Sequence, residues 1–257
     1  RDFFMPFFGG IFLESKLETS SRMFEFVYKM FGEGHAALPK AGMEAIPKQL
    51  YENLQNTDFT FNTEVVSIKE NEITLDDRTK LESHVSILAT DASGLVLSEK
   101  QKSMTWKSCQ TLYFETYNRV IRDELIGLIP SQGALINNIF YHTSVHTMSN
   151  AKTELLSVTV IEHHSLSDEM LVSRVKAELQ EYCGIMFPKF IKLYSISKAL
   201  PNLHDVRNDL NVADTSCHVP GVFLAGDTLL NGSLNAAMIS GERAALAALK
   251  YLNNKNN

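Results

Sequence analysis

Residues 222–245 read "VFLAGDTLLNGSLNAAMISGERAA", and this stretch restricts the fold more than any other. "VFLAG" is short, continuous and apolar, the pattern of a central parallel strand covered on both faces. It runs through Gly226 and Asp227 into a helix beginning near Leu234, where Ala236, Ala237, Ser240, Gly241, Ala244 and Ala245 are all small. Side chains of that size let a helix axis lie close to its neighbour. The spacing alone suits a plain turn and a tightly packed helix as well as it suits a ligand cradle.

If it is a cradle, its chemistry is restricted. A strand entering a helix through glycines aims unpaired N–H groups and the positive end of the helix dipole into the adjoining crevice, which favours an anion or an electron-rich carbonyl. Asp227 would repel a bare phosphate yet accept a bond from a sugar or polyol hydroxyl. A ligand that combines hydroxyls, phosphates and a ring carbonyl fits better, and a flavin dinucleotide has all three.

The remaining sequence mixes α and β patterns without repeats, and only the polar tail "NNKNN" is of low complexity. Thr19, Ser20 and Ser21 offer an N-cap, after which Met23, Phe24, Phe26, Val27, Met30 and Phe31 recur at helical spacing towards Gly32, predicting a core-facing helix. A second helix is expected over 43–54, with Pro47 tolerable in its first turn. "FTFNTEVVSIKENEITLDD" gives two strands around Glu70-Asn71, and "HVSILAT" a third, apolar enough for burial on both faces. "TLYFET", "INNIFYHT" and "LLSVTVI" are β-rich, followed by an amphipathic helix over 168–183 and the strand "IKLYSIS". Two interleaved sheets account for this order.

Composition excludes several function classes. At 44% hydrophobic and 21% charged the chain is globular material, and its net charge of -6 with dispersed basic residues gives no footprint for nucleic acid. Cys109, Cys183 and Cys217 are few, odd in number and far apart, which points to a reducing, cytoplasmic setting rather than a disulfide framework. Pro6, Gly9, Gly10 and Glu14 interrupt the first apolar run well short of the roughly 20 residues of a membrane span. The phenylalanines at 3, 4, 7, 8 and 12 are then core, or the lining of an apolar tunnel or membrane-peripheral mouth. His142 with His146, and His163 with His164, lie in strand-like or loop runs where neighbouring side chains diverge, so no metal site is expected. Asp2 and the Asp76-Asp77 pair read as turn or solvated carboxylates, and no G-x-S-x-G elbow supports a hydrolase.

"GDTLLNGSLNAAMISGERAA" resembles the C-terminal flavin motif of the FAD-dependent amine oxidase and phytoene desaturase superfamily. "PFFGGIFLESKLETSSRMFEFVYKMFGEGHAALPKAGMEAIPKQL" is similar to the region leading from substrate domain to FAD domain in phytoene-desaturase-like proteins. "NTEVVSI" and "ILATDA" are similar to later strands of the same order. The resemblance implies an α/β (α+β mixed) fold, in which a partial Rossmann-like FAD domain (41–98 and 201–252) is interleaved with a sheet-plus-helix substrate domain (1–40 and 99–200), before a tail at 253–257. It implies that the Val65 backbone faces adenine, that Asp227 binds the ribityl or pyrophosphate region with Gly226 also binding the cofactor, and that Ser233, Asn235, Ala236 and Ala237 approach the flavin ring. A helix N-terminus there would favour negative charge on the reduced ring. Chemistry then belongs largely to the cofactor, and no side chain stands out as a catalytic base.

Absent from the sequence is a strand followed by Gly-x-Gly-x-x-Gly and a helix, the unit that holds the pyrophosphate. The chain therefore reads as the C-terminal portion of a larger flavoprotein, expected by itself to bind FAD poorly, to be inactive and to self-associate through exposed sheet edges. The expected activity of the whole is hydride transfer to flavin from an apolar, isoprenoid-like or amine substrate. A non-catalytic binding or assembly module, and a redox-neutral isomerase using reduced flavin, are the alternatives.

Overall fold

The computed structural model describes residues 2–90, 94–95, 104–145, 152–161, 163–203 and 205–255; His146 and the end of "ILATDA" lie outside them. In chain order these residues form α1 (Phe4–Phe12), α2 (Ser21–Glu33), α3 (Ala45–Asn53), β1 (Val65–Lys69), β2 (Glu72–Leu75), β3 (Lys80–Glu82), β4 (Ser86–Leu88), β5 (Trp106–Thr116), β6 (Gly127–Leu128), β7 (Ile136–Tyr141), β8 (Glu154–Val160), α4 (Asp168–Cys183), β9 (Lys189–Pro201), β10 (Val222–Leu224) and α5 (Leu234–Lys255). The chain divides into two compact units. One comprises Arg1–Thr19, Val27–Gln55 and Trp106–Leu200, and the other Ser20–Phe26, Asn56–Thr105 and Pro201–Asn257.

The first unit is built on a five-stranded sheet ordered β6-β7-β8-β5-β9. Antiparallel register sets Leu112 opposite Val158 and Phe114 opposite Leu156, while Ile139 and Tyr141 of β7 meet the same two β8 residues. Side chains alternate along strands, so this register makes one continuous apolar face. Leu171, Val175 and Leu179, spaced four apart on α4, cover that face and are fully buried with it. Ser167 caps the helix by accepting the Met170 amide, Asp168 and Glu169 complement the dipole, and Gly184 at φ 67° ends it.

The buried Glu178 of α4 does a different job: its carboxylate accepts the Leu135 and Ile136 amides at 2.9 and 3.0 Å and the Arg174 Nε at 2.8 Å. The helix thereby fixes the start of β7. β9 is the other sheet edge, and Lys189, Lys192 and Lys198 along it oppose pairing with a further strand.

α1 runs straight through Pro6, Gly9 and Gly10, which the sequence presents as interruptions. Pro6 falls in the first turn, where no intrahelical acceptor awaits its missing N–H. A Cβ on Gly10 would collide with the Asn137 side chain, and one on Gly9 would come within 2.8 Å of the Glu14 carbonyl. Gly10 lets α1 lie against β7, and Gly9 leaves room for the Glu14 carbonyl beyond the helix end. α2 is less buried than its periodicity predicts: Met23 and Val27 are in the core, whereas Phe24, Met30 and Phe31 remain partly exposed.

In the second unit β1, β2 and β3 form an antiparallel meander, with Asn71 left-handed at φ 59° in the first turn. The polar β3, "KLE", carries no strand signal of its own. β4 and β10 pair in parallel, Val222 with Ser86 and Leu224 with Leu88. β10 is covered on both faces, by Ile68 and Leu88 around Val222 and Leu224, and by Ala244, Ala247 and Ala248 of α5 around Phe223 and Ala225. β4 departs from the expected double burial, since Ile87 between its buried neighbours is 42% exposed.

Candidate flavin site

The segment that follows β10 is where the second unit places its exposed backbone donors. Gly226 has φ 140° and ψ 160°, a conformation essentially reserved for glycine. A Cβ there would meet only Thr228 Oγ1, at 3.7 Å, so the backbone faces open space. Residues Asp227–Leu229 make one turn of 3-10 helix, and the Asp227 carbonyl accepts the amides of both Leu230 and Gly232 at 3.1 Å. The half-buried Asp227 carboxylate has no hydrogen bond or ion pair among the described residues.

α5 starts on a built cap. Ser233 Oγ accepts the Ala236 amide at 3.1 Å and donates to Asn231 Oδ1 at 2.6 Å, and Asn231 in turn donates to Asn208 Oδ1. The Ser233 carbonyl takes the Ala237 amide at 3.0 Å. Two of the four first-turn amides are thus satisfied, leaving those of Leu234 and Asn235 without an acceptor among the described residues. Deeper in, the buried Ser240 Oγ accepts the Gly226 amide at 2.8 Å.

Of the residues named from the sequence, Gly226, Asp227 and Ser233–Ala237 come together in this one turn and helix start. Ser233 serves as the cap, and the Ala236 side chain is fully buried against Leu210 and Leu230. Asn235 is exposed and Ala237 half-buried. Val65 is the first residue of β1 and packs on the cluster of Ile68, Leu88, Val222 and Leu224, as does Leu229 beyond Asp227. Asn231, Asn208 and Ser240 carry the local hydrogen bonding. Ser240 was visible in the sequence only as one more small residue, and Asn208 gave no signal because it lies 23 positions from its partner.

This set of groups suits a flavin dinucleotide. The Asp227 carboxylate is free to accept from a hydroxyl, the amides of Leu234 and Asn235 can donate to a ring carbonyl or an anion, and Gly226 presents bare backbone.

In the first unit a cavity of about 450 Å3 lies between α1 and the segment entering β7, with Met5, Glu14, Ile129, Leu135 and Asn137 in its walls. Burial alone would raise the Glu14 carboxyl, but hydrogen bonds from Lys107 and Thr19 outweigh it and hold the group below its ordinary range. Lys107 Nζ stands 2.5 Å from Glu14 Oε2. His142 donates to or accepts from Ser157 Oγ at 3.0 Å, and His164 shares Gln110 Oε1 at 2.6 Å. Among the described residues no group of three or more His, Cys, Asp or Glu is placed to hold a metal ion.

A model of the flavin containing amine oxidoreductase family matches residues 1–249, and the chain belongs to that family. Its fold is similar to an oxidoreductase from Methanosarcina mazei, with TM-score 0.69, 14% identity, and 95% of this chain covering 64% of that one. A provisionally assigned protoporphyrinogen oxidase from Exiguobacterium sp. 255-15 gives TM-score 0.62 at 17% identity, over 82% of this chain and 51% of that one. Putrescine oxidase bound to putrescine gives 0.59 at 17%, over 81% and 53%. At such identities the likeness concerns fold, and the chain spans between half and two thirds of these proteins' lengths. No curated relative matches it in sequence. No described helix is long and apolar enough to cross a membrane.

Proposed function

We propose that the chain supplies one wall of an FAD site and a substrate-binding sheet to an FAD-dependent oxidoreductase that takes hydride from an apolar or amine substrate. The observation that carries this reading is the coincidence, inside the family-matched stretch, of a glycine-only turn at Gly226, an unpartnered Asp227 carboxylate and two free amides opening α5. Bound FAD would accept hydride at its ring. Asp227 would hold a ribityl or ribose hydroxyl, the Val65 backbone would face the adenine, and the helix start Ser233–Ala237 would lie against the ring. The positive end of α5, a helix of 22 residues, would favour charge on the reduced ring.

The first unit would then be the substrate unit. The chain would have the second half of the flavin crevice supplied from elsewhere, so alone it would hold FAD weakly and show no turnover. The cytoplasm suits its three thiols, and the exposed Phe3 and Phe4 at the start of α1 could rest against a membrane surface. In the complete protein Asp227→Ala should lower FAD occupancy while leaving the circular dichroism spectrum intact. Unchanged FAD affinity would refute the role given to Asp227.

A further inference from the structure

Asn137 is a buried side chain with an unused donor. It is the extra residue of a β-bulge: Ile136 pairs with Val160 and Asn138 with Thr159, so two steps along β7 answer one along β8. A bulge re-aims its extra side chain out of the ordinary alternation. The Asn137 and Asn138 amides consequently both lie against Gly10 of α1, and Asn138 Nδ2 donates to Asn137 Oδ1 at 2.8 Å. That bond occupies the oxygen and leaves Asn137 Nδ2 without an acceptor among the described residues, although the residue is only 9% exposed. Buried amides are paired in the great majority of cases.

The free donor borders the cavity of about 450 Å3 beside α1. Asn137 Nδ2, Ile161 Cδ1 and the Glu14 carbonyl oxygen all lie within 4 Å of where a Cβ on Gly9 would stand, and all four residues line that cavity. A buried donor and a backbone acceptor thus share one stretch of wall. Met5, Ile129 and Leu135 add apolar surface, and the only charged side chains in the lining are the carboxylates of Asp2 and Glu14. Lys107 does not line the cavity and is spent on Glu14 and on Thr19 Oγ1 at 2.7 Å. An anionic ligand would satisfy Asn137 but face two carboxylates. An ammonium would suit the carboxylates but offer Nδ2 no acceptor. A neutral carboxamide supplies both a carbonyl oxygen and an N–H.

We propose that this cavity binds an uncharged carboxamide carried on an apolar body, its carbonyl oxygen accepting from Asn137 Nδ2 and its N–H directed to Glu14. The site is built wholly from the first unit and makes no use of the flavin turn.

The test is calorimetric titration of the purified chain at pH 7 with benzamide, benzoate and benzylamine, which share a ring and differ in the group offered to Asn137. Side-chain amide resonances of the 15N-labelled protein are followed in parallel. Benzamide should bind, shift the Asn137 side-chain amide signals, and exceed both other ligands by about tenfold, as one hydrogen bond to a buried unpaired donor should give. Asn137→Asp keeps an oxygen for Asn138 Nδ2 but replaces the donor with an acceptor, so it should weaken benzamide about tenfold and strengthen benzylamine. No binding of benzamide, equal affinity for benzoate, or benzamide affinity unchanged by Asn137→Asp would each overturn the proposal. Benzylamine bound best by the parent chain would overturn it too, because Asn137 would then turn its oxygen to the cavity. If Asn137→Asp fails to fold, the parent spectrum decides: Asn137 amide signals unmoved at saturating benzamide reject the site.

Discussion

Ser240 and Gly226, fourteen residues apart, are joined by the Gly226 amide donating to Ser240 Oγ at 2.8 Å, and the same hydroxyl donates to the Ala237 carbonyl at 2.8 Å. One fully buried side chain thus ties the end of β10 to the first turns of α5. Ser240→Ala leaves a backbone donor without its partner, at a cost of about 1–3 kcal/mol. Urea unfolding should show a lower midpoint with an unchanged slope, and the complete protein should lose flavin affinity in parallel. An unchanged midpoint would mean that the turn is held by other contacts.

Glu178 tests whether the start of β7 is held by hydrogen bonds to backbone or by an ion pair. Its carboxylate is 1% exposed, whereas the Arg174 side chain is 52% exposed. Glu178→Ala strands the Leu135 and Ile136 amides and should cost about 3 kcal/mol, while Arg174→Ala should cost less than about 1 kcal/mol. Equal losses in thermal unfolding would assign the work to the ion pair instead.

Two groups of the first unit give its stability the same dependence on pH. Burial lowers the His142 value below its ordinary 6.5, so the folded state keeps the ring neutral while the unfolded chain takes up a proton. Stability should therefore fall as pH drops below about 6.5, down to the lowered folded value. Glu14 is held below its ordinary value, so the stability from its pair with Lys107 is present above that value and is lost as pH falls through the folded one. Melting curves from pH 7 to pH 3 should show two successive declines, the upper one removed by His142→Gln and the lower one by Glu14→Gln. A flat profile through the upper window in the parent chain would contradict the His142 assignment.

Much of this architecture is legible in the sequence where local chemistry and tertiary packing agree. Ser167 and Gly184 bracket α4 as an N-cap and a left-handed stop should, and Asn71 closes the β1–β2 turn. The small-residue run after Gly226 reads correctly as a helix on a buried strand because Ala244, with Ala247 and Ala248 a turn further on, faces Phe223 and Ala225. α1 is illegible in the sequence because Pro6, Gly9 and Gly10 each break helices in isolation, and only the close approach of β7 to Gly10 and of the Glu14 carbonyl to Gly9 explains the two glycines. Ile87 could not be placed from "HVSILAT", since exposure of one β4 face depends on what packs there and not on the strand itself.

At the candidate site the motif's residues come together in one turn and helix start, but the sequence does not distribute their structural roles. Ser233 looks like a ligand contact in sequence and is the helix cap in space, with Asn231 saturating its hydroxyl. Glu178 is one acidic residue among several on an amphipathic helix. Its value lies in two amides more than forty residues away.

The most direct test of the flavin assignment is the flavin content of the protein isolated from its own cells, compared with the same protein carrying Gly226→Val. Valine cannot adopt φ 140° without strain and puts methyl groups where the backbone would face the ligand. The account predicts FAD near one equivalent in the parent protein and its loss in the variant, with folded structure retained by circular dichroism. A parent protein without flavin, or a folded variant that keeps a full equivalent, would contradict it.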